Sequence, residues 1–203
     1  MERLEATRVV AEMIGDRPVI ASLGLASFDL AAFDRPLNFY VGNSMGLAAS
    51  IAQGLAMARP DLRVVLLDGD GALLMNLGCL ATATMAGVTN LVHVVWDNGG
   101  WEITGGQPAG SAFGVQLETI ARGSGFGNAV TVDALDTFRS ALADALAAHE
   151  RWFICARVGP GGSSSRPPRS LVRIRERFMA ALPPRSLADV HPTRASATAV
   201  RTD

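Results

Sequence analysis

The chain has 203 residues, is 49% hydrophobic and carries a formal net charge of -1. That is enough apolar material for one compact core with an attached tail, and the near-neutral balance leaves no electrostatic footprint for nucleic acid or an anionic membrane. There is no lysine in the sequence, so every cation is an arginine and a Schiff-base mechanism on this chain is excluded.

In chain order, the opening "MERLEATRVV" is too charged for a secretory signal and no apolar run is long enough for a membrane span, so a cytoplasmic protein is expected. "PVIASL" (18–23), "RVVLLD" (63–68), "NLVHVVW" (90–96), "NAVTV" (128–132) and "WFICARV" (152–158) are short and rich in β-branched or aromatic residues. Such runs predict central strands of a parallel sheet covered on both faces. Between them, three groups recur at helical spacing: Leu47, Ile51 and Leu55; Leu77, Leu80, Ala81 and Met85; Leu135, Phe138, Leu142 and Leu146, the last with Asp133 as the expected N-cap. Strand and helix in regular alternation predict an α/β fold, a doubly wound, mainly parallel sheet with helices on both faces. The cluster "GPGGSSSRPP" (159–168) marks a break, "LVRIRERFMAAL" predicts a peripheral helix, and the stretch from Pro183 onward is expected to be a disordered tail. The domain is therefore set at 1–182 and the tail at 183–203. Cys79 and Cys155 fall in a helical and a strand pattern, which makes them small buried hydrophobes rather than a disulfide or a cluster ligand set. His93, inside a strand, and His149, at a helix end, read as structural.

The stretch "LDGDGALLMNLG" (67–78) brackets an acid with glycines directly after an apolar strand. In doubly wound sheets, ligands bind outside the C-terminal strand ends, and Asp70 and Asn98 each stand just past one. A carboxylate from Asp70, a side-chain carbonyl from Asn98 and a main-chain carbonyl from Gly100 make three hard oxygen donors. Magnesium takes such donors and completes its octahedron with phosphate oxygens and water. Gly69 and Gly71 would let a diphosphate approach the turn, and a helix expected from about Ala72 would offer it free backbone N–H groups. Gly-Asp-Gly alone is common turn chemistry; the Asn98 position at the next strand end is what favours a metal anchor. By spacing alone Met45 reads as a core residue, Trp101 and Glu102 divide evenly between site and surface, and Arg166 and Arg169 suit an anion or a linker equally.

"GDG" at 69–71 followed by "DN" at 97 and 98 resembles the thiamine diphosphate signature of 2-keto acid decarboxylases and their relatives. From "NFYVGNSMG" through "DNGGWEITGGQP" the sequence is similar to sulfopyruvate decarboxylase beta subunits and to the matching domain of phosphonopyruvate decarboxylases, and "IRERFMAAL" resembles that subunit's end. The resemblance covers residues 3–182. It implies the diphosphate-binding (PP) domain of the thiamine diphosphate-binding fold, with Mg2+ on Asp70, Asn98 and the Gly100 carbonyl. It places Gly69, Gly71 and Ala72 at the diphosphate, Gly24 and Ser27 near it, and Met45, flanked by Ser44 and Gly46, beneath a bent cofactor whose 4'-amino group meets the Asn43 carbonyl. It also places Trp101, Glu102 and Ile103 on a loop (102–108) closing over cofactor and substrate, where Trp101 and Glu102 replace the smaller, less acidic residues expected. The implied activity is loss of carbon dioxide from a 2-keto acid with release of an aldehyde. The alternative is a carboligase subunit of the acetolactate synthase type, whereas two isolated cysteines do not suit a ferredoxin-linked oxidoreductase. The family's other half, a pyrimidine-binding (PYR) domain carrying a catalytic glutamate, does not fit into 203 residues. A PYR-domain alpha subunit is therefore expected in trans, giving a hetero-oligomer.

Overall fold

Six parallel strands form the sheet of this computed structural model, which describes residues 1–185. The chain runs α1 (Arg3–Met13), β1 (Val19–Ala21), α2 (Leu25–Ala31), β2 (Asn38–Tyr40), α3 (Ala48–Ala58), β3 (Val64–Gly69), α4 (Asp70–Leu74), α5 (Gly78–Met85) and β4 (Leu91–Asp97). A two-stranded hairpin, β5 (Gly100–Trp101) and β6 (Gln107–Pro108), follows, then α6 (Leu117–Gly123), β7 (Asn128–Val132), α7 (Leu135–Ala147), β8 (Trp152–Arg157) and α8 (Leu171–Ala181). The main sheet has the order β2-β1-β3-β4-β8-β7, so the chain leaves β1 in one direction for β2 and returns to its other side for β3. This reversal makes the crevice beyond the ends of β1 and β3 the switch point of a doubly wound sheet.

Side-chain alternation divides the core. Val65, Leu67, Val92, Val94 and Trp96 pack with Val9 and Val10 of α1, Leu30 of α2 and Phe138 and Leu142 of α7. Val64, Leu66, Leu91 and Val95 pack on the other face with the alanines of α3, Leu73 of α4, Leu80 of α5 and Leu117 of α6. Burying each of the large side chains, such as Phe138 or Phe153, contributes about 1.5–3 kcal/mol. The alanine run Ala48, Ala49, Ala52 and Ala56 lets α3 lie close on the sheet. Helix α8 crosses the β2 edge, with Ile174 in the first core and Phe178 in the second, the latter edge-on to Phe39 at a centroid distance of 5.4 Å.

The doubly wound parallel sheet is the architecture the sequence predicts, and the differences are local. The three-residue edge strand β2 is not among the predicted strands: it opens on the polar Asn38 and pairs only with β1, so no apolar run announces it. Helix α4 begins at Asp70 rather than near Ala72, with Gly69 at its N-cap, and the Asp70 carboxylate accepts the Gly71 N–H at 2.8 Å within the first turn. Asp133 does not cap α7; Ala134 occupies the N-cap and no side chain bonds there. Asp133 instead offers its carbonyl to the Met1 amino group at 3.1 Å. Residues 183–185, placed in the expected tail, are bonded to the domain: the Pro183 carbonyl accepts from Arg59 at 2.9 Å and Arg185 donates to the Ala58 carbonyl at 2.6 Å. Residues 186–203 lie outside the described part. Both cysteines are buried and free, and burial pushes each thiol up to about 12. His93 is fully buried with Nε2 3.4 Å from Asp68, and His149 is exposed beyond α7. Among the described residues no helix is long and apolar enough to cross a membrane.

Candidate functional site

A cavity of about 650 Å³ opens at the switch point, beyond the ends of β1, β3 and β4. The turn after β1 contributes Gly24, the turn before α3 contributes Met45, and the start of α4 contributes Gly69, Asp70, Gly71 and Ala72. Beyond β4 come Asn98 and Gly100, and the hairpin adds Trp101, Glu102 and Ile103. Those eleven of the sequence-predicted positions share one cavity; Ser27, Asn43, Ser44 and Gly46 do not line it. The Ser27 hydroxyl donates to the Ser22 carbonyl, just past β1, at 2.7 Å, and Asn43, whose main-chain carbonyl is the expected acceptor, is an exposed residue. Gly46 lies beside the cavity wall, its carbonyl held by Asn76 Nδ2 at 2.8 Å, which steadies the turn that presents Met45. Met45 itself is 38% exposed, unlike a core methionine.

Asp70 is buried to 3% exposure at the start of α4. Its Oδ1 accepts the Gly71 N–H, and its Oδ2 accepts the Ser111 hydroxyl at 2.7 Å. Burial pushes its carboxyl above the usual carboxylate range, and the neighbouring Asp97 adds to the effect. Among the described residues no basic side chain is bonded to Asp70. Asn98 is fixed at both ends of its amide: Oδ1 accepts the Gly100 N–H at 3.1 Å, and Nδ2 donates to Glu102 Oε2 at 3.1 Å. Glu102 also receives Arg3 at 3.3 Å and the Gly161 N–H at 2.7 Å. Arg3 in turn bonds Asp29 at 2.7 Å and the Gly161 carbonyl, and Asp29 accepts the Ser163 N–H at 2.5 Å.

Two glycines are required by this arrangement. Gly24 has φ 90°, the left-handed region, and a Cβ there would lie 3.0 Å from Ile103. A Cβ on Gly71 would lie 1.9 Å from the Trp101 indole nitrogen. The free space beside Gly71 is therefore taken by Trp101, whereas nothing lies within 4 Å of a Cβ on Gly69. Of the two glycines read as admitting a diphosphate, only Gly69 faces open space.

Sequence reasoning missed four residues here. Arg3 and Ser111 come from distant segments with no motif of their own, Asn76 lies inside the quoted stretch without a spacing signal, and Asp97 was visible only as the first letter of "DN". Among the described residues no three His, Cys, Asp or Glu side chains gather as a metal cluster.

The sequence matches the thiamine pyrophosphate enzyme, C-terminal TPP binding domain, over residues 22–156. It is 35% identical over 161 residues to the sulfopyruvate decarboxylase subunit beta of Methanocaldococcus jannaschii, covering 78% of this chain and 85% of that one. The same subunit of Methanothermobacter thermautotrophicus is 41% identical, covering 70% of this chain and 76% of the relative. The phosphonopyruvate decarboxylase of Streptomyces viridochromogenes is 36% identical over 85% of this chain, which spans 44% of its length. Among solved structures, benzoylformate decarboxylase from Polynucleobacter necessarius superposes with a TM-score of 0.67 at 18% identity, over 78% of this chain and 33% of the other, a likeness of fold. With a matching domain, relatives of matching length and a cavity at the expected sheet edge, the chain belongs to the thiamine pyrophosphate enzymes, as their C-terminal TPP-binding domain.

Proposed function

We propose that this chain is the beta subunit of a thiamine diphosphate- and Mg2+-dependent decarboxylase acting on a sulfopyruvate- or phosphonopyruvate-like 2-keto acid in the cytoplasm. The observation that carries the reading is the convergence of Asp70, Asn98 and Met45 on one cavity at the switch point. The donor set fits the metal: the Asp70 carboxylate, the Asn98 amide oxygen and the Gly100 carbonyl are hard ligands contributed by residues that line one cavity. When bound, thiamine diphosphate supplies the electron sink that lets a 2-keto acid lose carbon dioxide. The protein's part is positional. Asp70, Asn98 and the Gly100 carbonyl would hold the metal, Met45 would support the cofactor, and Trp101 and Ile103 would keep water from the cavity mouth.

Two requirements fall outside this chain. The carboxyl needed at the pyrimidine ring cannot come from Asp70, committed to metal, nor from Glu102, held by Arg3 and Asn98. It is assigned to a PYR-domain alpha subunit. Arg3 is the one basic side chain on the described cavity wall, and its three nitrogens are engaged with Asp29, Glu102 and the Gly161 carbonyl. Recognition of the substrate's sulfonate or phosphonate therefore falls to the same partner. The test is to co-express the chain with a PYR-domain partner, supply thiamine diphosphate and Mg2+, and follow carbon dioxide release from sulfopyruvate and phosphonopyruvate. Activity should require both chains; turnover by this chain alone, or carbon-carbon bonded product in place of free aldehyde, would overturn the reading.

A further inference from the structure

We propose that Glu102 is a positioning residue that decides which end of the Asn98 amide is left for the metal. The inference deepens the reading above and rests on its assignment of Asn98 as a ligand. An asparagine amide has an acceptor end and a donor end of nearly equal size, and only the oxygen can bind a cation. Left alone in a cavity wall, the amide would sample both orientations. Here each end meets a group with one possible role. The Gly100 N–H can only donate, so the atom 3.1 Å from it is oxygen; the Glu102 carboxylate can only accept, so the atom 3.1 Å from it is the NH2 group. The oxygen keeps a second lone pair for the metal, and the nitrogen is turned away from that duty.

Glu102 can perform this task because it is itself held. Oε2 receives Arg3 as well as Asn98, and Oε1 receives the Gly161 N–H at 2.7 Å. Arg3 is 3% exposed and ion-paired with the fully buried Asp29, so the carboxylate is braced by α1, by α2 through Asp29, and by the Gly159–Ser163 segment. The sequence distance from Glu102 to Arg3 and Gly161 explains why no local motif announces the role. Outer partners that orient a ligand commonly matter about 10–100-fold in metal affinity.

The experiment uses the chain co-expressed with its PYR-domain partner, with thiamine diphosphate in excess and Mn2+ as the probe in place of Mg2+, free Mn2+ being read by its paramagnetic resonance signal. Glu102→Leu should weaken Mn2+ binding by about 10–100-fold. Glu102→Gln, which retains an acceptor but can also turn its NH2 toward Asn98, should weaken it less. The deciding comparison is made in the Asn98→Asp background. A carboxylate has oxygen at both ends and needs no orientation, and it would be repelled by Glu102. There Glu102→Leu should leave Mn2+ affinity unchanged or tighten it. An equal loss in both backgrounds would mean that Glu102 only stiffens the hairpin and would overturn the proposal, as would unaltered affinity in Glu102→Leu. If Asn98→Ala itself leaves Mn2+ affinity unchanged, or the wild-type complex binds no Mn2+, the ligand assignment fails instead, a separate result. Should Glu102→Leu not fold, Glu102→Gln with and without Asn98→Asp gives the same cycle at smaller amplitude.

Discussion

The turn at Gly69–Ala72 and the hairpin that starts at Gly100 adjoin each other and line one cavity, yet they are built in opposite ways. The turn continues β3 and enters α4 without a gap, and its acid is 3% exposed with both carboxylate oxygens bonded. The hairpin has two paired residues on each side, and from Ile103 to Pro108 every residue is exposed. Its fastening is at the root, through Glu102 to Arg3 and through the Trp101 indole against Gly71. A diphosphate anchor gains from rigidity, since misplacing a reacting group by about 1 Å costs about 100-fold in rate. A cover must admit and release ligands, so it is held at one end and free at the other.

Substitutions can break the contrast at either member. The largest effect is expected from Arg3→Met, which leaves Asp29 buried without its cation; losing one partner of a buried pair costs about 3–5 kcal/mol, read by denaturant unfolding. A loss below about 1 kcal/mol would show that the hairpin root does not depend on this brace. Asp70→Ala should weaken magnesium-dependent thiamine diphosphate binding by about 100-fold or more, beyond the range for an outer partner, as read by calorimetric titration. Asn98→Ala should cost less, because water can replace a neutral ligand. Gly71→Ala would sharpen the comparison, since the new methyl group must displace the Trp101 indole. A destabilisation of about 1–3 kcal/mol, with a shift in tryptophan emission, is expected from such overpacking. The smallest effect belongs to the free end: Ile103→Ala, at a side chain 50% exposed, should change stability by about 0.5 kcal/mol or less in thermal unfolding.

What the sequence made legible followed the same division. The long strands β3, β4 and β8 are six or seven residues of nearly unbroken burial, so their apolar runs announce them, and with them the acid and amide at their ends. Strand β2 and helix α1 were silent for different reasons. The strand is held by its neighbours rather than by its own composition, and α1 interleaves Arg3 and Thr7 with its buried Ala6, Val9 and Val10. The resemblance places Ser27 near the diphosphate; its hydroxyl, on α2, donates to the Ser22 carbonyl just past β1, a bond that no spacing announces. Arg3 and Ser111 reach the site from 26 and 41 residues or more away from their partners, Asp29 and Asp70, and contacts of that range leave no periodicity to read. The glycine bracket was read as space for a ligand, and at Gly71 the space is used by an indole.

Helix α8 gives the fold a vulnerability that its active edge does not suggest. By inserting Ile174 into one core and Phe178 into the other, it shields the outer rim of β2, whose unpaired N–H and C=O groups would otherwise offer a template to any passing strand. A protease cut or premature stop between Ser163 and Leu171 would leave every residue of the cavity in place while uncovering that rim. Such a shortened chain is expected to be lost to self-association and precipitation during expression before any failure of chemistry could be measured.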